Sequence, residues 1–198
     1  MDSQFGRLIE WLRRSGHYDD TIVNVVGDHG QRLRDGLERH GWPTHRLLYH
    51  RSLNVPLIAR IPPNEVARYP ATERGQVVME QVRTIDLLPT VLELLDLPLP
   101  DGVEGRSLMT LLRGELDEPR LAYADALNLQ ERYVNVENLP PRQRDDLYAV
   151  VDARWKLIHH RAHPELSELY ALVGAPQELV SVVEAHPAQA PRRGGFLG

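Results

Sequence analysis

The chain has 198 residues, 42% hydrophobic and 26% charged, enough for one core and a small second one and too few for a large multidomain enzyme. A formal charge of -5 leaves no overall basic field, which disfavours nonspecific nucleic-acid binding and anionic membrane surfaces. Cysteine is absent, excluding disulfides, thiolate metal sites and thiol catalysis, and no segment approaches the ~18 to 20 continuous apolar residues of a membrane span.

No apolar run ahead of a small-residue cleavage site follows Met1, so no secretory signal is visible and the chain as written reads as cytoplasmic. From Asp2 to Ser15, Phe5, Leu8, Ile9 and Leu12 recur at helical spacing opposite Arg7, Glu10, Arg13 and Arg14, which predicts an amphipathic helix ended by Gly16. Thr21 to Val26 is short, β-branched and apolar on both faces, as a strand inside a parallel sheet would be. It ends in Gly27-Asp28-His29-Gly30, two metal-capable side chains at the carboxyl end of a strand, where open α/β sheets bind ligands.

Residues 31 to 54 read as a long loop with a helical turn near Leu47 to Ser52, and Val55 to Ile61 as a second strand stopped by Pro62-Pro63. Residues 64 to 76 read as a polar connection. Asp86 is an N-cap candidate for a helix over Pro89 to Leu95, and Ser107 to Leu112 gives a further short turn. Tyr148 to Asp152 and Arg154 to His159 predict a hairpin, Glu165 to Leu172 a third strand, and Gln177 to Glu184 a helix before a frayed end.

On residue chemistry alone, Asp28 and His29 can hold a divalent cation, and His40, His45 and His50 lie in the same loop as proton donors or acceptors. A turn role for Asp28 and Gly30, with solvated histidines, fits the spacing equally well. His159, His160 and His163 read as a solvated cluster matching no metal spacing, and Asp86 as a cap. The chain's one lysine, Lys156, falls in a hairpin strand and reads as structural.

The ordered motifs Gly6 to Leu12, Asp19 to Val23, Gly27-Asp28-His29-Gly30, Leu48-Tyr49 and Asn54 to Ile58 resemble the sulfatase family of the alkaline phosphatase superfamily. The resemblance continues through Arg83 to Leu94, Gly105-Arg106-Ser107-Leu108, Leu111 to Gly114, Arg154 to Ile158 and Glu168-Leu169-Tyr170. It implies an α/β fold class: part of an alkaline-phosphatase-like, mostly parallel sheet with flanking helices, plus a small C-terminal antiparallel sheet with a helix. The implied organisation is residues 1–116 in the catalytic α/β domain, 117–186 in a small α+β subdomain, and 187–198 as a tail.

The same resemblance implies Asp28 and His29 as metal ligands and His45, or alternatively His40, as the group that contacts the ester oxygens or protonates the leaving alcohol. Many sulfatases have Asn where this chain has His29, and the His form also resembles members acting on phosphate or phosphonate esters. Calcium takes an oxygen shell, whereas an imidazole suits Mn2+ or Zn2+, so the expected cofactor is a divalent metal, Ca2+ or Mn2+, with Zn2+ as a third candidate. The implied substrate is a small-molecule sulfate or phosphate ester, with no nucleic acid or membrane partner and an open oligomeric state.

The family's nucleophile sits in a Cys-x-Pro-x-Arg or Ser-x-Pro-x-Arg motif, converted to formylglycine, with a pair of Asp ligands near the start of its core domain. No Cys occurs here, and no Ser is followed by Pro two residues on. The expectation is a C-terminal fragment of a sulfate-ester hydrolase, inactive by itself, whose formylglycine and Asp pair lie in a missing N-terminal part. A phosphodiesterase or phosphonate monoester hydrolase, and a non-catalytic metal- or partner-binding remnant, are the alternatives.

Overall fold

A computed structural model describes residues 2–30, 48–68, 75–127, 145–173, 178 and 180–186. The chain divides into two compact units, Met1–Gly27 with Pro56–Glu118, and Asp28–Val55 with Pro119–Gly198.

In the first unit, α1 (Asp2–Arg14) has Asp2 in its first turn and Arg13 and Arg14 in its last, charges that complement the helix dipole. It closes where Gly16 takes φ 79°: the His17 N–H reaches the Leu12 carbonyl and the Gly16 N–H that of Arg13. The strands β1 (Val23–Val26) and β2 (Leu57–Arg60) pair antiparallel, with Val23 opposite Arg60 and Val26 opposite Leu57. Apolar residues on both faces suggested a strand among parallel neighbours; the one ladder described for β1 is antiparallel, and neither strand holds a fully buried residue.

The connection after β2 begins with a helix that the sequence reading left as a polar loop, α3 (Pro63–Arg68), where proline starts the first turn. A 3-10 turn at Thr84–Asp86 runs into α4 (Leu87–Leu94), and α5 (Met109–Leu112) follows. Asp86 joins these pieces. Its fully buried carboxylate accepts the backbone N–H of Arg83 and of Arg106, each at 2.9 Å, and pairs with the Arg83 guanidinium at 2.8 Å. The expected cap therefore serves the 3-10 turn rather than α4, and in addition ties the turn to residue 106. The chain passes so close there that a β-carbon on Gly105 would stand 2.0 Å from the Ile85 carbonyl oxygen. Thr90 completes the node, donating to the Asp86 carbonyl and accepting the Leu108 N–H.

The second unit holds the four-stranded antiparallel sheet β3-β4-β5-β6, from β3 (Ala122–Ala126), β4 (Leu147–Val151), β5 (Trp155–His160) and β6 (Glu168–Ala171). The predicted hairpin is β4–β5, closed where the Asp152 carboxylate accepts the N–H groups of Arg154 and Trp155. The predicted third strand is β6, while β3, rich in alanine, lacked a strand signature. A short helix, α2 (His50–Leu53), follows Leu48 and Tyr49, which pack with Leu147, Ala149, Ile158 and Tyr170 in the core. Of the helix expected over 177–184, the described residues form only a turn closed on the Val182 carbonyl by Ala185 and His186. No helix of the described residues is long and apolar enough to cross a membrane.

Candidate metal centre

Gly27 still belongs to the β1–β2 ladder, its N–H donating to the Pro56 carbonyl. The chain then turns. The His29 backbone N–H donates to Asp28 Oδ1 at 2.9 Å, which bends residues 28 and 29 into a tight loop. The His29 ring folds back so that Nδ1 lies 2.8 Å from the Gly30 carbonyl. A carbonyl only accepts, so Nδ1 is the donor in this contact, and in the tautomer that it selects for a neutral ring Nε2 is the acceptor nitrogen. Nε2 is 3.8 Å from Asp28 Oδ2, and the two side chains stand open to solvent at 51% and 92% exposure.

A glycine follows because the backbone comes too close to α2 for any side chain. A β-carbon on Gly30 would lie 1.8 Å from the Arg51 carbonyl oxygen, and the Gly30 N–H donates to the Ser52 carbonyl at 2.8 Å. The helix is itself anchored in the second unit. The Tyr49 hydroxyl donates to the Glu168 carboxylate at 3.0 Å, and Tyr170 donates to the same group. The His50 N–H donates to Glu178 Oε2 at 2.7 Å, and Glu178 Oε1 is 2.8 Å from Lys156 Nζ. Burial holds the His50 imidazole below its ordinary value and pushes the Tyr170 hydroxyl well above its own, with the Glu168 charge adding to the latter.

The pair fits part of a divalent-cation shell. One carboxylate oxygen and one imidazole nitrogen with a fixed lone pair make two donors, an N,O set better suited to Mn2+ or Zn2+ than to Ca2+. Among the described residues no group of three or more His, Asp or Glu side chains converges as a metal site. His40 and His45 lie outside the described residues.

The C-terminal histidines are not the solvated cluster that their sequence suggested. His160 is buried in β5 with Nδ1 3.7 Å from Asp145, His159 is half-buried with Nδ1 3.2 Å from the Ser167 hydroxyl, and only His163 is exposed, beside Glu165. Asp145 also accepts the N–H groups of Ala162 and His163, so its carboxylate closes the turn after β5. Alternation along β5 would have placed His160 inward, because Lys156, Ile158 and His160 share one face. The partners Asp145 and Glu178 had no signal, being distant in sequence.

Known proteins resemble this chain along most of its length. Residues 38–191 match the family model of N-sulphoglucosamine sulphohydrolase, C-terminal. An N-acetylglucosamine-6-O-sulfatase of Bacteroides thetaiotaomicron is 26% identical over 92% of this chain and 30% of its own length. A structure solved in complex with its substrate D-glucosamine-2-N,6-O-disulfate superposes with TM-score 0.75 at 24% identity, over 95% of this chain and 35% of that one, a likeness of fold. A phosphonate monoester hydrolase from Silicibacter pomeroyi is 27% identical with TM-score 0.70, over 96% of this chain and 36% of its own. The chain spans about a third of the length of these relatives. The model match, extending over most of the sequence, shows that this chain belongs to the sulfatase family of the alkaline phosphatase superfamily, in the region described as N-sulphoglucosamine sulphohydrolase, C-terminal.

Proposed function

We propose that this chain is the C-terminal portion of a metal-dependent hydrolase of sulfate esters, contributing Asp28 and His29 to its metal shell and not active by itself. The observation that carries the reading is the pair at the end of β1, with His29 Nε2 3.8 Å from Asp28 Oδ2. Asp28 supplies charge and His29 a nitrogen donor whose orientation the Gly30 carbonyl holds. A divalent cation bound there supplies Lewis-acid polarisation of the ester oxygens. His45, or His40 in its place, protonates the departing alcohol, a task suited to imidazole near neutral pH. The nucleophile and the remaining ligands come from sequence outside residues 1–198, since no Cys-x-Pro-x-Arg or Ser-x-Pro-x-Arg motif is present.

The likeness to a phosphonate monoester hydrolase supports a second reading within the same chemistry, a phosphate or phosphonate ester as substrate. The Bacteroides relative is named for a 6-O-sulfated N-acetylglucosamine, which makes sugar sulfates the first compounds to assay. The deciding experiment compares turnover of matched aryl sulfate and aryl phosphonate, with sugar sulfates alongside, by the protein extended upstream of Met1, before and after chelation. Preference for sulfate, abolished by chelator, is the expected result. A preference for phosphonate selects the second reading, and turnover indifferent to chelator removes both. In the protein extended upstream of Met1, Mn2+ is expected to raise the melting temperature of the unmodified form and not that of Asp28→Ala. Equal shifts would remove the metal assignment.

A further inference from the structure

The chain's one lysine is buried. Lys156 is 1% exposed in β5, and the Glu178 carboxylate that it meets is 2% exposed. A buried ion pair loses hydration that its attraction barely restores, and an apolar pair of similar volume serves stability as well or better. Glu178 also takes φ 54°, and Leu48, two residues before His50, takes φ 49°. Side chains other than glycine hold this left-handed backbone only where their surroundings enforce it, as happens at sites with a geometric task.

The task is visible in what the pair holds. Glu178 Oε2 accepts the His50 N–H, the first of α2, and the Ser52 carbonyl of the same helix accepts the Gly30 N–H at 2.8 Å. The close approach at Gly30, where a β-carbon would meet the Arg51 oxygen at 1.8 Å, leaves no slack between α2 and residue 30. The Gly30 carbonyl in turn orients the His29 ring through Nδ1. Tyr49, hydrogen-bonded to Glu168, ties the start of α2 to β6 and prevents the helix from pivoting about the Glu178 contact.

We propose that Glu178, aimed by Lys156, is a positioning residue for the Asp28–His29 metal pair and acts through α2 and Gly30. The inference rests on the metal reading given above. It assigns the buried charge a purpose other than stability, since the carboxylate supplies an acceptor for one particular backbone N–H. Groups that hydrogen-bond metal ligands directly are worth about 10- to 100-fold in metal affinity, which is the upper bound for a residue acting through them.

Two double variants isolate that acceptor. Lys156→Met with Glu178→Gln removes both charges and keeps an oxygen for the His50 N–H, whereas Lys156→Met with Glu178→Leu removes both charges and the acceptor. Mn2+ titration by calorimetry of the protein extended upstream of Met1 is expected to show the Gln variant within about threefold of the unmodified protein and the Leu variant weaker by up to about 10- to 100-fold. The 15N shifts of the His29 ring, recorded without metal, should keep the Nδ1–H pattern in the first and lose it in the second. Amide exchange of Ala149 and Ile158 should be slow in both, which a merely structural effect on the sheet would not give. Equal Mn2+ affinity and equal His29 shifts in the two variants would overturn the inference. If the unmodified extended protein binds no Mn2+, the metal reading falls, and the His29 shifts alone decide whether Glu178 positions that ring. If the Leu variant loses slow exchange, Gly30→Ala, whose β-carbon would force α2 away from residue 30, disrupts the last link, and unaltered His29 shifts there would overturn the proposal.

Discussion

The β1–β2 and β4–β5 ladders both carry apolar residues and have opposite surroundings. In β1–β2, Val26 and Ile58 stay open to solvent, Ile58 at 63% exposure, whereas in β4–β5 Leu147, Ala149 and Ile158 are sealed. A strand's apolar residues therefore do not say whether it is covered; what lies over it does. The β4–β5 hairpin is flanked by β3 and β6 and packs against Leu48 and Tyr49, while β1–β2 is a two-stranded ladder among the described residues. The units also differ in what organises them. The described residues of the first bury one carboxylate, Asp86, along with Leu12, Leu94, Leu108, Met109 and Leu111, and those of the second an apolar cluster along with Glu168, Glu178 and Asp145.

The largest effect should come from removing the node of the first unit. Asp86→Ala leaves the Arg83 guanidinium without its carboxylate and two backbone N–H groups without their acceptor, a loss of about 3–5 kcal/mol. Amide exchange at Arg83 and Arg106 should accelerate accordingly, and unchanged protection there would show that the node does not hold this unit together.

The contrast between the ladders is tested by the same substitution in each. Ile158→Ala removes a fully buried side chain from the second unit and should cost about 2–5 kcal/mol in urea unfolding. Ile58→Ala, at its exposed position, should change stability by no more than about 0.5 kcal/mol. A cost at Ile58 comparable to that at Ile158 would mean that β2 is covered in solution.

Between these lies Tyr49→Phe, which keeps the ring against Tyr170 and deletes one donor to a buried carboxylate. A hydrogen bond to a charged group is worth about 1.5–3 kcal/mol, and the Tyr170 hydroxyl, still donating to Glu168, should hold the loss near the lower value. Urea denaturation followed at Trp155 fluorescence reads it, and a change below experimental error would remove the anchoring role of Tyr49.

The smallest effect is the pH dependence of the second unit. Burial holds the imidazoles of His50 and His159 below the ordinary 6.5, against the opposing charges of Glu178 and Asp145 respectively. The unfolded chain therefore takes up these protons first as pH falls. Their contribution to stability is whole above about pH 6.5 and declines as pH drops from there toward the folded values. Proton NMR titration should place both below 6.5; a value at or above it for His159 would mean that its ring is solvated.

Some elements were legible because their cause is local. The spacing of Phe5, Leu8, Ile9 and Leu12 and the stop at Gly16 predicted α1 with its boundary, and the alternation around Ala153 predicted the β4–β5 hairpin. The α3 helix was missed because Pro-Asn-Glu-Val-Ala-Arg is too short and polar for a periodic signal, and β3 because its alternating positions carry Ala, Tyr and Asp. Asp28 and His29 were legible as a pair at a strand end, yet the orientation of the ring was not, since it depends on the position of the Gly30 carbonyl.

The sequence by itself determined which family this chain belongs to, through short motifs in a fixed order, and its α1 helix, its hairpin and the carboxylate and imidazole after β1, which follow from neighbours within a few residues. Only the tertiary structure decided that Asp86 is a buried hub, that Lys156 pairs with Glu178, and that Glu178 in turn reaches α2. Those contacts join residues 20 to 128 positions apart, and the charges involved become significant only once folding has removed them from water.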